Sequence, residues 1–284
     1  MSFYVWDRAG KYATLGKRVA AIAAAALAAS AYVPSQAQDK STAEGIARYR
    51  ELLQDGNPAE LWEARGEDLW KQKRGPKKVS LERCDLGKGP GVVKGAYAVL
   101  PRYFPDADRV MDLETRLVHC MTTLQGFTFA EATKTPFGSD KVRSDIEALV
   151  AYVTAESRGE KMNAPMSHPK EQEAYRVGEK MFYYRAGPHD FACATCHGEP
   201  GKRIRLQDLP NLTDSADAQR AYTTWPAYRV SQGELRSMQW RLNDCFRQQR
   251  FPNLKFTSEA SVALTTFLAH KAQGGVLEAP ALKR

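Results

Sequence analysis

The segment "CATCH" holds Cys193, Cys196 and His197 as a C-x-x-C-H run, and it constrains the fold more than any other feature of the chain. Two thiols at this spacing can add to the two vinyl groups of one haem, and the imidazole that follows can bind the iron. The alternative is a thioredoxin-like redox pair, but no β-α-β pattern surrounds the motif. The run therefore predicts one covalent c-type haem, with His197 as its proximal ligand.

The N-terminal segment has the pattern of an export signal. Basic residues are followed by a mostly alanine run from 19 to 33, and Ser35 and Ala37 offer small side chains to a signal peptidase. This pattern predicts a signal peptide over residues 1–37. An uncleaved anchor is the alternative, but the apolar run is shorter than the roughly 20 residues that span a bilayer.

The charge of the chain fits an anionic substrate or partner. The formal net charge is +8 at pH 7, although ordinary solubility explains such a value equally well. No nucleic-acid-binding motif is present, and an exported protein has little occasion to meet nucleic acid. No stretch after the signal segment is apolar enough to predict a membrane span.

The chain also contains an internal repeat. The segment "RGEDLWKQKRGPKKVSLERCD" (65–85) aligns without a gap on "VGEKMFYYRAGPHDFACATCH" (177–197), so that Cys84 falls on Cys196. Both copies show helical spacing that ends before a Gly-Pro pair. Leu81 replaces the first haem thiol, and Asp85 replaces the histidine. The first half therefore resembles a haem-binding domain that has lost its haem.

A second pair of segments supports the duplication. Residues 100–120 align on 225–245, and each half then ends in an apolar helix. Strand signals are few, so the sequence predicts an all-α fold with two tandem cytochrome-c-like domains. We place the haemless domain at 38–160 and the haem-binding domain at 161–284, joined near residues 157–170, a polar stretch with glycine and prolines.

The repeat indicates which of the remaining three cysteines are paired and which one is free. Cys84 and Cys120 occupy positions that would once have faced the same haem, and an oxidising compartment would join them. A disulfide between them would stabilise the domain by about 3–4 kcal/mol in the chain-entropy model. Cys245, which aligns with Cys120, then remains free and faces His197 across the haem.

Cys245 is accordingly the expected sixth ligand of the iron. Met238 is an alternative, but it aligns with Leu113 and is expected in the core. His270 is a second alternative, with a surface position as the simpler interpretation. Ferric iron deprotonates a coordinating thiol, and a thiolate ligand lowers the haem potential.

Arginines surround this thiol. Arg241 lies one helical turn before Cys245 on the same face, where its guanidinium would favour a thiolate and fit a small oxyanion. We predict that Arg241 and Arg247 contact the substrate. The alternatives are a haem propionate partner for Arg241 and a solvated helix face for Arg247 and Arg250. Arg116 keeps the Arg241 position in the haemless half, which also allows a structural role.

The C-x-x-C-H run, followed by "RLNDCFRQQRFP" and preceded by a degenerate copy ending in "RLVHC", resembles the SoxA family of sulfur-oxidising bacteria. The resemblance covers nearly all of the chain after the signal segment. Its most specific part is R-x-x-x-C-x-x-Q-x-R, here Arg241, Cys245, Gln248 and Arg250. Because the first half lacks a haem motif, the chain is similar to the single-haem members.

The resemblance implies a periplasmic enzyme that joins thiosulfate oxidatively to a cysteine of a SoxYZ-type carrier protein. Electrons would leave through the haem to a small cytochrome of the SoxX type. Cys193 and Cys196 would hold the haem, with His197 and Cys245 on the iron. Cys245 would also carry sulfur as a persulfide, and Arg241 would steer the anion.

Two other functions fit parts of the pattern. A plain electron-transfer cytochrome would share the haem but would not need a thiol flanked by arginines. A thiosulfate dehydrogenase that makes tetrathionate would share the histidine and cysteine ligands, but that family generally carries two haem motifs. Product analysis separates the two enzymes, because one releases tetrathionate and the other adds mass to a protein cysteine.

Overall fold

The structure is a computed structural model that describes residues 44, 45, 48, 56–139, 141–204 and 207–283. The predicted signal peptide lies outside the described residues. The chain divides into two units, Met1–Leu52 and Leu53–Arg284, and the second unit holds the elements that follow.

The second unit is mostly helical, as the sequence predicts. Its α-helices, among the described residues, are α1 (Ala59–Lys71), α2 (Leu113–Thr123), α3 (Phe129–Ala132), α4 (Asp145–Ala155), α5 (Pro169–Tyr183), α6 (Cys193–His197), α7 (Ser215–Tyr222), α8 (Met238–Gln248) and α9 (Glu259–Lys271). A 3-10 turn covers Tyr97–Val99. No helix in the described ranges is both long and apolar enough to cross a bilayer.

Short strands accompany the helices, and the sequence analysis did not anticipate them. They are β1 (Arg102–Phe104), β2 (Arg109–Met111), β3 (Arg203–Ile204), β4 (Gln207–Asp208), β5 (Ala227–Arg229), β6 (Glu234–Arg236) and β7 (Ala281–Lys283). The pairs β1–β2 and β3–β4 are antiparallel, and β5 lies between antiparallel β6 and parallel β7. Strands of two or three residues are too short to show an alternating pattern.

Two helix crossings of the same kind organise the unit. A Cβ atom added at Gly66 in α1 would lie 2.0 Å from the carbonyl oxygen of Ala148 in α4. A Cβ atom added at Gly178 in α5 would lie 2.1 Å from the carbonyl oxygen of Ala263 in α9. Because helix separation depends on the side chains at the contact, glycine lets both pairs approach closely. Gly66 and Gly178 are also equivalent positions of the sequence repeat.

The first half contains the predicted disulfide. Cys84 and Cys120 are bonded, with their Cα atoms 5.7 Å apart and both residues buried. Leu81, at the position of the first haem thiol, is fully buried. The carboxylate of Asp85 accepts backbone N–H groups of Gly87 and Gly89, at 2.7 and 3.0 Å. Asp85 thus orders a turn at the position that His197 occupies in the second half.

The segment that joins the halves is packed rather than loose. Met162 is buried and exchanges backbone hydrogen bonds with residues 274 and 275, both between 2.8 and 2.9 Å. The backbone N–H of Leu277 donates to the carbonyl oxygen of Glu160 at 2.9 Å. The C-terminal part of the second half therefore runs beside this connection.

The glycine crossing yields a stability prediction. We expect Gly66→Ala to lower the free energy of unfolding by about 3 kcal/mol, because the new methyl group overlaps the backbone of α4. Thermal unfolding measures the change. Gly56→Ala is the control, since a Cβ atom there meets nothing within 4 Å. Equal unfolding temperatures for the two variants would contradict the close crossing.

Candidate haem and thiol site

The C-x-x-C-H residues lie on α6, a helix of five residues. Thr195 stabilises its start, because its hydroxyl accepts the backbone N–H of Ala192 at 2.9 Å. Cys193 and Cys196 are half-buried and are not part of a disulfide. A one-turn helix thus presents both thiols and the His197 imidazole together, which is the arrangement that a c-type haem requires.

The ring of His197 is held in the form that binds a metal. Its Nδ1 lies 2.9 Å from the carbonyl oxygen of Pro210. A carbonyl can only accept, so Nδ1 carries the proton and Nε2 keeps its lone pair for a metal. Burial lowers the pKa of His197, and the positive charge of Arg241 lowers it further despite the Pro210 hydrogen bond. The residues present therefore fit a haem ligand.

Cys245 lies on α8 and is half-buried. Helix α8 is capped by Ser237, whose hydroxyl accepts the backbone N–H of Trp240 at 3.3 Å. Burial and, to a smaller extent, the charge of Cys245 raise the pKa of the Cys193 thiol to about 12. Burial also raises the pKa of Cys245, while Arg241 opposes that rise. Cys245 is therefore within range of electrostatic interaction with α6, and it is the free thiol outside the C-x-x-C-H run.

Asp244 organises the polar side of α8, and the sequence analysis missed it. Its buried carboxylate accepts from Arg241 Nη1 at 3.3 Å, from Arg247 Nη2 at 2.6 Å and from Gln248 Nε2 at 2.6 Å. The i,i+3 and i,i+4 spacing of these residues is visible in the sequence and could have revealed the group. Asp244 holds both guanidinium groups on the helix that carries Cys245.

The arginines differ in exposure. The side chain of Arg241 is 28% exposed, whereas that of Arg247 is 72% exposed. Arg241 acts on the pKa of both His197 and Cys245. Arg250 is exposed. Arg241 thus interacts with both His197 and Cys245, whereas Arg247 and Arg250 face solvent.

The repeat position of Arg241 has a structural role in the first half. The buried Arg116 donates to the carbonyl oxygen of Asp85 and, through Nη1, to both carboxylate oxygens of Asp106. Its guanidinium also lies 4.0 Å from the centre of the Phe104 ring. Through these contacts the Arg116 side chain holds together the loops of the first half.

Arg229, at the end of β5, is a second residue that the sequence analysis missed. Burial lowers its pKa, as does the charge of Arg241, and the charges of Asp244 and Cys245 oppose this. Its Nε atom is buried and has no hydrogen-bond partner among the described residues. No sequence signal points to it, because β5 is too short to predict and Phe104 stands at the equivalent position.

Met238 and His270, the alternative iron ligands, make other contacts. Met238 is 6% exposed and belongs to the hydrophobic core. Nε2 of His270 lies 3.2 Å from the carbonyl oxygen of Pro165, and its ring packs edge-to-face on Tyr175.

The protein-family model "SoxA/TsdA, cytochrome c domain" matches residues 65–162 and 177–277 of the chain. A cytochrome c domain implies haem c. Fold and site together therefore define a c-type cytochrome that has a free thiol, Cys245, in addition to the two cysteines of its haem motif.

Curated relatives narrow the family. The chain is 50% identical over 273 residues to the L-cysteine S-thiosulfotransferase subunit SoxA of Hydrogenophilus thermoluteolus, covering 94% of this chain and 99% of that protein. It is 34% identical over 252 residues to a protein of the same name from Hydrogenobacter thermophilus, covering 87% and 92%. The chain belongs to the SoxA family, which confirms the resemblance seen in the sequence.

A solved structure has the same fold. The crystal structure of SoxXA from P. pantotrophus matches with a TM-score of 0.65 and 24% sequence identity, over 80% of this chain and 79% of that one.

Proposed function

We propose that this chain is the haem subunit of an L-cysteine S-thiosulfotransferase that joins thiosulfate to a cysteine of a SoxYZ-type carrier protein. The observation that carries the proposal is the free thiol of Cys245 on a helix whose Arg241 and Arg247 guanidinium groups are both held by Asp244. The names of the curated relatives support the same reaction.

The reaction forms one sulfur–sulfur bond. The thiol of the carrier cysteine loses its proton, and its sulfur bonds to the sulfane sulfur of thiosulfate. The product is a cysteine S-thiosulfonate, and two electrons are released. When bound, the haem supplies one-electron redox chemistry, by which these electrons leave to a small c-type cytochrome of the SoxX type.

The chain would hold one haem. Cys193 and Cys196 would form the two thioether bonds, and His197 and Cys245 would occupy the two axial positions. The first half, 38–160, would be a haemless cytochrome-c-like domain, and the second, 161–284, would be the haem domain. Leu81 and Asp85 support this division, because one is packed in the core and the other orders a backbone turn.

Cys245 would have two tasks, as distal ligand and as a persulfide that takes up thiosulfate. The outer sulfur of the persulfide would bond to the sulfane sulfur of thiosulfate as two electrons leave. The thiolate of the carrier cysteine would then bond to that sulfane sulfur and release the persulfide, which gives the net reaction above. Burial disfavours the thiolate of Cys245, and Arg241 favours it. A ferric iron would deprotonate the thiol outright. The disulfide takes up the thiols of Cys84 and Cys120, and the haem would take up those of Cys193 and Cys196, so Cys245 would remain as the nucleophile.

Arg241 would orient thiosulfate with its planar guanidinium, and the exposed Arg247 would attract the anion from solvent. Asp244 sets the position of both guanidinium groups, and Arg229 adds a half-buried positive charge. The chain would work in the periplasm after export by its signal peptide, with neither nucleic acid nor a membrane among its partners.

Cys245 is the residue that tests this function. We expect Cys245→Met to keep a six-coordinate haem with a raised potential and Cys245→Ala to open the sixth position. Both variants should stop the loading of thiosulfate on the carrier cysteine, because the nucleophile is gone. Mass spectrometry of the carrier measures loading.

The matched control removes the two cysteines of the disulfide. Cys84→Ala with Cys120→Ala should lower the unfolding temperature and leave loading intact below that temperature. If Cys245→Met loads the carrier at the wild-type rate, the chain is an electron-transfer cytochrome. Tetrathionate in solution, without mass on the carrier, would instead identify a thiosulfate dehydrogenase.

Arg241 gives a second test. Arg241→Lys keeps the charge but loses the two-pronged geometry, so we expect kcat/KM for thiosulfate to fall tenfold or more, equivalent to about 1.4 kcal/mol. The haem spectrum should remain. Arg220→Lys is the control, because Arg220 also pairs at i,i+3 with an aspartate, on α7. Unchanged turnover of Arg241→Lys at subsaturating thiosulfate would remove Arg241 from the mechanism.

A further inference from the structure

The first turns of α2 and α8 meet inside the unit. The backbone N–H of Gln239 in α8 donates to Oε1 of Glu114 in α2 at 3.1 Å. The side-chain Nε2 of Gln239 donates to both carboxylate oxygens of Asp112, at 2.9 and 2.7 Å. Each of the three residues is at most 2% exposed. Glu114 and Gln239 are equivalent positions of the repeat, so the junction joins matching parts of the two halves.

Charge explains why acids occupy this junction. A helix N-terminus carries a partial positive charge and unpaired N–H groups, and two such ends face each other here. Asp112 caps α2, because its carboxylate accepts the backbone N–H of Thr115 at 3.0 Å. Ser237 caps α8 and also makes a side-chain hydrogen bond with Glu114. The two carboxyl groups join the helix starts by accepting hydrogen bonds from both, while burial and the charge of Asp112 raise the pKa of Glu114 to about 8.

Gln239 is the residue that ties α8 to both sides of this junction. Its Nε2 also lies 3.2 Å from the hydroxyl oxygen of Thr115 in the first half. Its Oε1 accepts the backbone N–H of Thr257, just before α9, at 2.8 Å. Both polar atoms of the side chain are thus engaged, one by each half of the chain.

The position of Gln239 links this junction to the candidate site. Gln239 precedes Arg241 by two residues and Cys245 by six on the same helix. A helix moves as a rigid element, so a shift or rotation of its first turn changes where both side chains point. Misplacement of a reacting group by about 1 Å can cost two orders of magnitude in rate.

We propose that Gln239 is a positioning residue. Its contacts with Asp112 and Glu114 fix α8 so that Cys245 and Arg241 are aimed at the haem and at thiosulfate. The first half, which has no haem motif, thereby takes part in the reaction as the platform for this helix. The inference rests on the proposed roles of Cys245 and Arg241.

The test first removes the side-chain amide of Gln239 and then exchanges the positions of this amide and the Asp112 carboxylate. Gln239→Met keeps the length of the side chain but leaves Asp112 and the N–H of Thr257 without their partner. We expect kcat/KM for carrier loading to fall tenfold or more. The low-spin ferric signal in electron paramagnetic resonance should broaden or divide into more than one species, because the thiolate is no longer held in one place.

The double variant Gln239→Glu with Asp112→Asn should restore both readouts. It places the carboxylate on α8 and the amide on α2, so the same pair forms with its polarity reversed and the total charge unchanged. The introduced amide oxygen can still cap Thr115, and the introduced carboxylate can still accept the N–H of Thr257. We expect activity within about twofold of the wild type and a single ferric species.

Tyr97→Phe is the matched control for stability. Tyr97 stacks on Tyr222 and hydrogen-bonds to it, which also links the two halves, but neither residue lies on α8. We expect Tyr97→Phe to lower the unfolding temperature while kcat/KM and the ferric signal stay as in the wild type. If Gln239→Met does not fold, Gln239→Asn replaces it, because its amide is one methylene too short to reach Asp112 and Thr257 together.

The outcomes separate this inference from the proposed function. A wild-type spectrum without a thiolate signature, or a wild type that does not load the carrier, overturns the proposed function and the inference with it. If the wild type behaves as expected, any one of three results overturns the inference alone. The first is a Gln239→Met or Gln239→Asn variant that behaves as wild type, and the second is a double variant that is as impaired as Gln239→Met. The third is a Tyr97→Phe variant that loses as much activity as Gln239→Met.

Discussion

The structure depends on helix crossings that leave no room for a side chain. In each half, a helix passes so close to the helix that ends the half that a Cβ atom would lie about 2 Å from a carbonyl oxygen, at Gly66 and again at Gly178. Such a contact excludes water and fixes the angle between the two helices. The segments between these helices, which in the second half include α6 and α8, are therefore attached to two rigid frames of the same design.

The two halves share this helix crossing but differ in how their cysteines are used. The first half closes on itself through the Cys84–Cys120 disulfide and the turn at Asp85. The second half leaves the equivalent thiols free and orients His197 through the carbonyl oxygen of Pro210. Where the first turns of α2 and α8 meet, buried carboxyl groups join the halves. The first half, which lacks a C-x-x-C-H motif, can therefore influence the helix that carries Cys245, although it holds none of the proposed haem ligands.

The sequence predicted the features that depend on residue type and spacing. The haem motif, the mostly helical fold and the disulfide follow from cysteine positions and from the repeat. Asp244 was missed although its spacing was visible, because the prediction considered the arginines around Cys245 and not the carboxylate between them. Arg229 and Gln239 could not be found, because their importance arises from contacts with residues distant in sequence. The short strands could not be predicted either, since two or three residues carry no periodic signal.

The central claim is that Cys245 both faces the haem and carries sulfur. Mass spectrometry of the Cys245 peptide from native protein, isolated before and after incubation with thiosulfate, tests it most directly. The account predicts the added mass of one sulfur on a fraction of the Cys245 peptides, and a change in that fraction when thiosulfate is supplied. A peptide that carries an unmodified thiol under both conditions would contradict it.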